Sequence, residues 1–206
     1  MRNFEKIILG LAILSLILKF FLLSGGGILC VLSLSTLSVF YFYLGFAYFN
    51  DLKFKEIFKS SSYNNISRKR IIGGLGAGIT LAILMIGLLF KFMHWRGQSM
   101  DFVLGLILAI IIILTIIIKT KGQFDSYYKM IVKRLISIGL FSFVFFLIPN
   151  SSIIKAQFRH YPRYIKAYNA FQNNSNDTNL IYSLDKERAR IFMSDKEFEY
   201  HYKEKK

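Results

Sequence analysis

Residues 71–90 form a run of twenty positions without a charge, and residues 102–118 are again wholly uncharged. A helix rises about 1.5 Å per residue, so about 20 apolar residues cross the ~30 Å hydrocarbon layer of a bilayer. Two such runs separated by a short polar break read as a transmembrane hairpin. The rest of the chain repeats the pattern. Only 19% of the 206 residues are charged, against about 25% in ordinary soluble domains, and they are crowded into a few stretches. The reading is an all-α polytopic membrane protein with four or five transmembrane helices and a short helical C-terminal tail.

Span one covers about residues 7–23 and reads as an uncleaved first span, since no small-residue cleavage site follows it. Ser24-Gly25-Gly26-Gly27 is a tight turn. Span two follows to Phe49, span three covers 71–93 and span four 102–118. A fifth apolar run, 135–148, is short, and it reaches bilayer length if the helix continues through Pro149 to Ile154. A membrane domain, 1–149, thus holds hairpins at about 7–49 and 71–118 plus the tentative span 135–154, and a polar tail occupies 155–206. No carboxylate falls inside any span on this reading, with Glu5 and Asp101 only at edges.

The formal net charge of +15 would suggest nucleic acid in a soluble protein. Here Lys and Arg flank the spans. Eleven lie in two stretches, 50–70 and 119–134, whereas between spans three and four there is only Arg96. The positive-inside rule places the N-terminus in the cytoplasm and the chain in the cytoplasmic membrane, as a multi-pass protein. The expected partner is the lipid bilayer, with other membrane subunits or a second copy of the chain left open, and no nucleic acid. The single cysteine, Cys30, lies in an apolar run and reads as a small buried hydrophobe.

The two hairpins look like copies. "LAILSLILKFFLLSG", 11–25, matches "LAILMIGLLFKFMHWRG", 81–97. Both open with Leu-Ala-Ile-Leu, and both close with Lys-Phe, four residues, then Gly. Lys19 thus corresponds to Lys91 and Gly25 to Gly97. The copies have the same orientation, so the repeat is parallel.

At the second tip, Lys91 shares a helix face with His94 and Trp95, three and four residues on. Trp and snorkelling Lys or Arg suit a headgroup layer, which makes this an interfacial anchor. The alternative is a structured cap in which the ammonium is held by Trp95 and nearby carbonyls. The stretch 74–114, with Lys91, His94, Trp95 and Gly97 in a Lys-x-x-His-Trp-x-Gly motif, resembles the N-terminal transmembrane hairpin of GldL, a gliding-motility and type IX secretion inner-membrane family. Arg96 stands where that family usually has proline. The resemblance implies a role in a cell-envelope assembly. The family's motor function uses a membrane glutamate in its second helix, and 102–118 has no acid or histidine.

Gly74 and Gly78 form a small-xxx-small face for helix packing, within the chain or between copies. In the tail, Pro162 starts a helix with Tyr164, Ile165, Tyr168 and Phe171 on one stripe, the Asn-rich stretch 173–179 breaks it, and Ser194 with Glu197 forms a capping box for a last helix. His160 and His201 read as surface residues. No catalytic, cofactor-binding or metal-binding constellation is present, so a non-enzymatic scaffold or accessory subunit is expected, with a small transporter or channel subunit built from the hairpin repeat as the alternative.

Overall fold

The computed structural model describes residues 1–64, 66–95 and 97–203, without the side chains of Gln98 and Lys203. The protein is all-helical among these residues. It divides into two units, Met1–Ile148 and Pro149–Lys206.

The first unit is a bundle of five long helices: α1 (Arg2–Phe20), α2 (Gly26–Phe49), α3 (Arg68–Met93), α4 (Gln98–Thr120) and α5 (Ser126–Leu147). Helices α2 to α5 are each long and apolar enough to cross a membrane. Helix α1 carries Arg2, Glu5, Lys6 and Lys19 in 19 residues and is more densely charged than these four. It nonetheless runs antiparallel along α2. Ser15 Oγ and Ser33 Oγ lie 3.1 Å apart, and Gly26 packs on the Leu18 backbone at the turn.

The fifth span differs from expectation at both ends. Helix α5 starts at Ser126, capped by Asp125, whose side chain accepts from the Tyr128 N–H. It ends at Leu147, and Ile148 is extended, so the helix does not continue through Pro149. The residue before a proline is pushed out of the helical region, and the proline then starts a separate helix. Length comes instead from the N-terminal side, where Lys129, Lys133 and Arg134 lie within the helix. Burial of Asp125, though slight, pushes its carboxyl up. The Tyr128 N–H and the Arg70 guanidinium outweigh this, so its pKa falls below the ordinary value.

Lipid tails are as apolar as leucine, so helix association in a bilayer depends on close approach and on polar contacts rather than on the hydrophobic effect. The α2–α3 pair uses close approach. A Cβ on Gly45 would stand 2.7 Å from Gly78 Cα, and one on Gly78 only 2.3 Å from the Tyr41 carbonyl oxygen. A Cβ on Gly74 would meet Phe46 Cα at 3.0 Å. The small-residue face of α3 is therefore filled by α2 of the same chain. The bundle core follows from this contact, with Leu34, Leu37, Tyr41, Leu81, Leu84 and Leu88 all buried.

The connector 50–67 contains two 3-10 turns, Phe54–Glu56 and Ser60–Tyr63. It lies at the same end of the bundle as the N-terminus, tied by an ion pair between Arg2 and Asp51 at 3.2 Å. The α4–α5 connector joins them there through the ion pair of Arg70 with Asp125. The two hairpin turns occupy the opposite end.

The second unit holds α6 (Asn150–Gln157), α7 (Pro162–Asn173), α8 (Thr178–Phe192) and α9 (Asp195–Lys203). Tyr164 and Tyr168 are its buried stripe, with Tyr164 against Phe158 at 4.3 Å between ring centroids. Ser194 and Glu197 make the reciprocal capping bonds, with Glu197 Oε2 accepting from the Ser194 N–H at 3.1 Å and Ser194 Oγ from the Glu197 N–H at 3.4 Å.

Candidate functional site

Helix α2 places Tyr41 and Tyr48 seven residues apart, two turns along one face, and both point at α1. Between them stands Glu5, 0% exposed. Tyr41 donates to Oε1 at 2.6 Å and Tyr48 to Oε2 at 2.7 Å. From α5, Arg134 Nη2 donates to the same Oε2 at 2.6 Å and to the Tyr48 hydroxyl at 3.0 Å. Four side chains on three helices form one network, whose acid and base are 129 residues apart in sequence and in which the buried Arg134 Nε is without a hydrogen-bond partner among the described residues.

Glu5 stands in the first turn of α1, at the end of the helix, and is nonetheless wholly buried in the bundle. A buried carboxylate is costly unless it is paired and hydrogen-bonded, and here both conditions hold. Arg134, counted in the sequence among the basic flanks, is the counter-charge. Beside the network, a cleft of about 300 Å³ bordered by Arg2, Tyr48 and Asp51 opens at the basic end of the bundle. Tyr48, which donates to Glu5, is among its lining residues.

At the other end, Lys91 is 4% exposed and its ammonium donates to the Ile148 carbonyl oxygen at 2.6 Å. That carbonyl is available because α5 has ended: the last carbonyls of a helix have no partner within it. A lysine on α3 thus closes the C-terminus of α5. The geometry is a cap. Its acceptor is a backbone group on another helix, which spacing along α3 does not indicate. Trp95 is 42% exposed and stands edge-on to Phe90, 5.4 Å between centroids at 74°. His94 lies just past the helix with φ of 58°. Arg96 lies outside the described residues.

The two tips share a backbone pattern. The His94 N–H bonds to the Lys91 carbonyl and the Trp95 N–H to the Phe90 carbonyl. In the first hairpin the Leu22 N–H bonds to the Lys19 carbonyl and the Leu23 N–H to the Leu18 carbonyl. Both are Schellman closures, and the left-handed residues, Leu22 at φ 56° and His94 at φ 58°, stand three residues after the matched lysines. Gly25 and Gly97, at φ 78° and 99°, start the second helix of each hairpin. Lys19 is buried, as Lys91 is. The aligned positions Lys19 with Lys91 and Gly25 with Gly97 have equivalent places in the fold.

The signal for the Glu5 network was present in part. Tyr41 and Tyr48 on one face of an uncharged helix invite a polar partner, because a buried phenol needs an acceptor. Nothing local to Glu5 or Arg134 reveals that they meet. Compared with known protein families, with characterised proteins and with solved structures, the chain matches none.

Proposed function

We propose that this chain is a non-enzymatic scaffold or accessory subunit of a cell-envelope assembly, seated in the cytoplasmic membrane with its N-terminus and the 50–67 connector inside. The observation that carries the scaffold reading is the Glu5 network. An intramembrane acid is a functional candidate by default, because proton and ion relays are built from such groups. A relay group must exchange partners, whereas Glu5 has both oxygens committed and a guanidinium against it. That arrangement supports a clasp joining α1, α2 and α5. Lys91 supports the same reading at the other end by joining α3 to α5. The envelope role rests on the resemblance of Lys91, His94, Trp95 and Gly97 to the GldL hairpin, and the orientation on the basic residues gathered at one end of the bundle.

A small transporter or channel subunit is the second reading, favoured by the cleft bordering Tyr48. Two experiments on the full chain separate them. Purification from native membrane in mild detergent should recover a stoichiometric membrane partner, and proteoliposomes of the purified chain should be no leakier to protons or monovalent ions than empty ones. Flux from the chain alone, abolished by Glu5→Gln, would overturn the scaffold reading in favour of transport.

A further inference from the structure

On the outer surface of the bundle, where α3, α4 and α5 meet at the basic end, a cleft of about 320 Å³ runs along the helices. Its floor exists because Gly76 presents no side chain, Ile112 and Ile116 form its far wall, and the Tyr127 hydroxyl fills the place that a Cβ on Gly73 would take. Lys69 and Lys119 stand at its head, the first at the start of α3 and the second at the end of α4. Both are exposed, and among the described residues neither makes an ion pair. The single acid of the α4–α5 connector, Asp125, is already paired with Arg70.

The lining from residue 69 to 76 on α3, like that from 112 to 119 on α4, spans seven helical steps, about 10 Å at the usual rise. An apolar cleft on the outer surface of the bundle, headed by two ammonium groups, matches the polarity and charge of one kind of ligand. We propose that this cleft is a binding site for an acidic glycerophospholipid. One acyl chain lies over Gly76, and the anionic headgroup sits between Lys69 and Lys119. This assignment depends only on the chain being in a membrane and not on the scaffold reading.

The test is lipid retention by the purified full-length protein in native mass spectrometry, titrated with dioleoylphosphatidylglycerol or dioleoylphosphatidylcholine. A lysine near an anionic headgroup raises affinity about fivefold. Lys69→Gln with Lys119→Gln should therefore cut phosphatidylglycerol retention by an order of magnitude or more and leave phosphatidylcholine unchanged. Gly76→Leu fills the slot and should lower retention of both lipids. The space for it is there, since the nearest atom to an added Cβ is Ile112 Cδ1 at 3.9 Å. If that variant melts lower than wild type, Thr115→Phe fills the slot from the exposed α4 side and must give the same result. The control pair Lys53→Gln with Lys55→Gln should retain wild-type preference. The proposal fails if the preference survives loss of Lys69 and Lys119, or if the control pair loses it equally. It also fails if inorganic phosphate displaces the lipid while slot filling has no effect, because that marks a surface anion site without an acyl groove.

Discussion

Glu5 Oε2 takes two of the three hydrogen bonds at the carboxylate, from Tyr48 and from Arg134, while Oε1 depends on Tyr41 alone. Removing one partner of a buried ion pair costs about 3–5 kcal/mol, because the other charge is stranded, whereas replacing both by apolar groups is often near neutral. Glu5→Leu and Arg134→Leu should each lower stability by about 3 kcal/mol in a denaturant titration of the purified protein, and the double variant should lose less than the sum. Equal, additive losses would show that the two residues act separately. Interhelical hydrogen bonds in bilayers average ~0.6 kcal/mol, but those to charged groups reach about 1.5–3 kcal/mol. Tyr41→Phe, which leaves Oε1 without its donor, should therefore cost more than Tyr48→Phe, after which Oε2 keeps Arg134.

Glycines on one helix have opposite meanings by the direction they face. Gly78 looks into α2, where an added methyl would overlap the Tyr41 carbonyl, a backbone group that cannot swing away. Gly76 faces Ile112, whose Cδ1 would lie 3.9 Å from an added Cβ, an ordinary contact distance. Gly78→Ala should lower the melting temperature by several degrees, corresponding to about 1–3 kcal/mol of overpacking. Gly76→Ala should leave it unchanged or raise it, since alanine gains about 1 kcal/mol over glycine inside a helix. Equal effects at the two positions would mean that α2 and α3 do not approach as closely as described. Element by element, legibility depended on whether a signal was local. Helices α3 and α4 could be read from uncharged runs, the start of α7 from Pro162, the start of α9 from Ser194 and Glu197, and the matched tips from Lys-Phe-x4-Gly. Helix α5 was read too short at its start because Lys129, Lys133 and Arg134 look like a flank. In the fold Arg134 turns inward to an acid. The acceptor for Lys91 was invisible because a freed backbone carbonyl has no residue type.

For the whole molecule, the bundle has a basic end and a tip end. The N-terminus and both connectors lie at the first; Ile148, bonded to Lys91, lies at the second. The N-terminal end of α5 is thus at the basic end and its C-terminal end at the other, so the helix traverses the unit. With the basic end inside, a membrane-impermeant thiol reagent applied to intact cells carrying single cysteines on a Cys30→Ser background should modify Ser99→Cys and spare Ser61→Cys. Both positions are exposed in the fold, so the reversed pattern means an inverted protein rather than a hidden thiol.

The clasp between α1 and α5 also bears on how the chain is made. Glu5 leaves the ribosome before Arg134, which follows 129 residues later. At about 5–20 residues per second, synthesis of that interval takes roughly 6–26 s. The two tyrosines of α2 follow the acid by 36 and 43 residues, long before its counter-charge is translated. The hairpin of α1 and α2 must therefore wait, its carboxylate without a counter-charge, until α5 has been made.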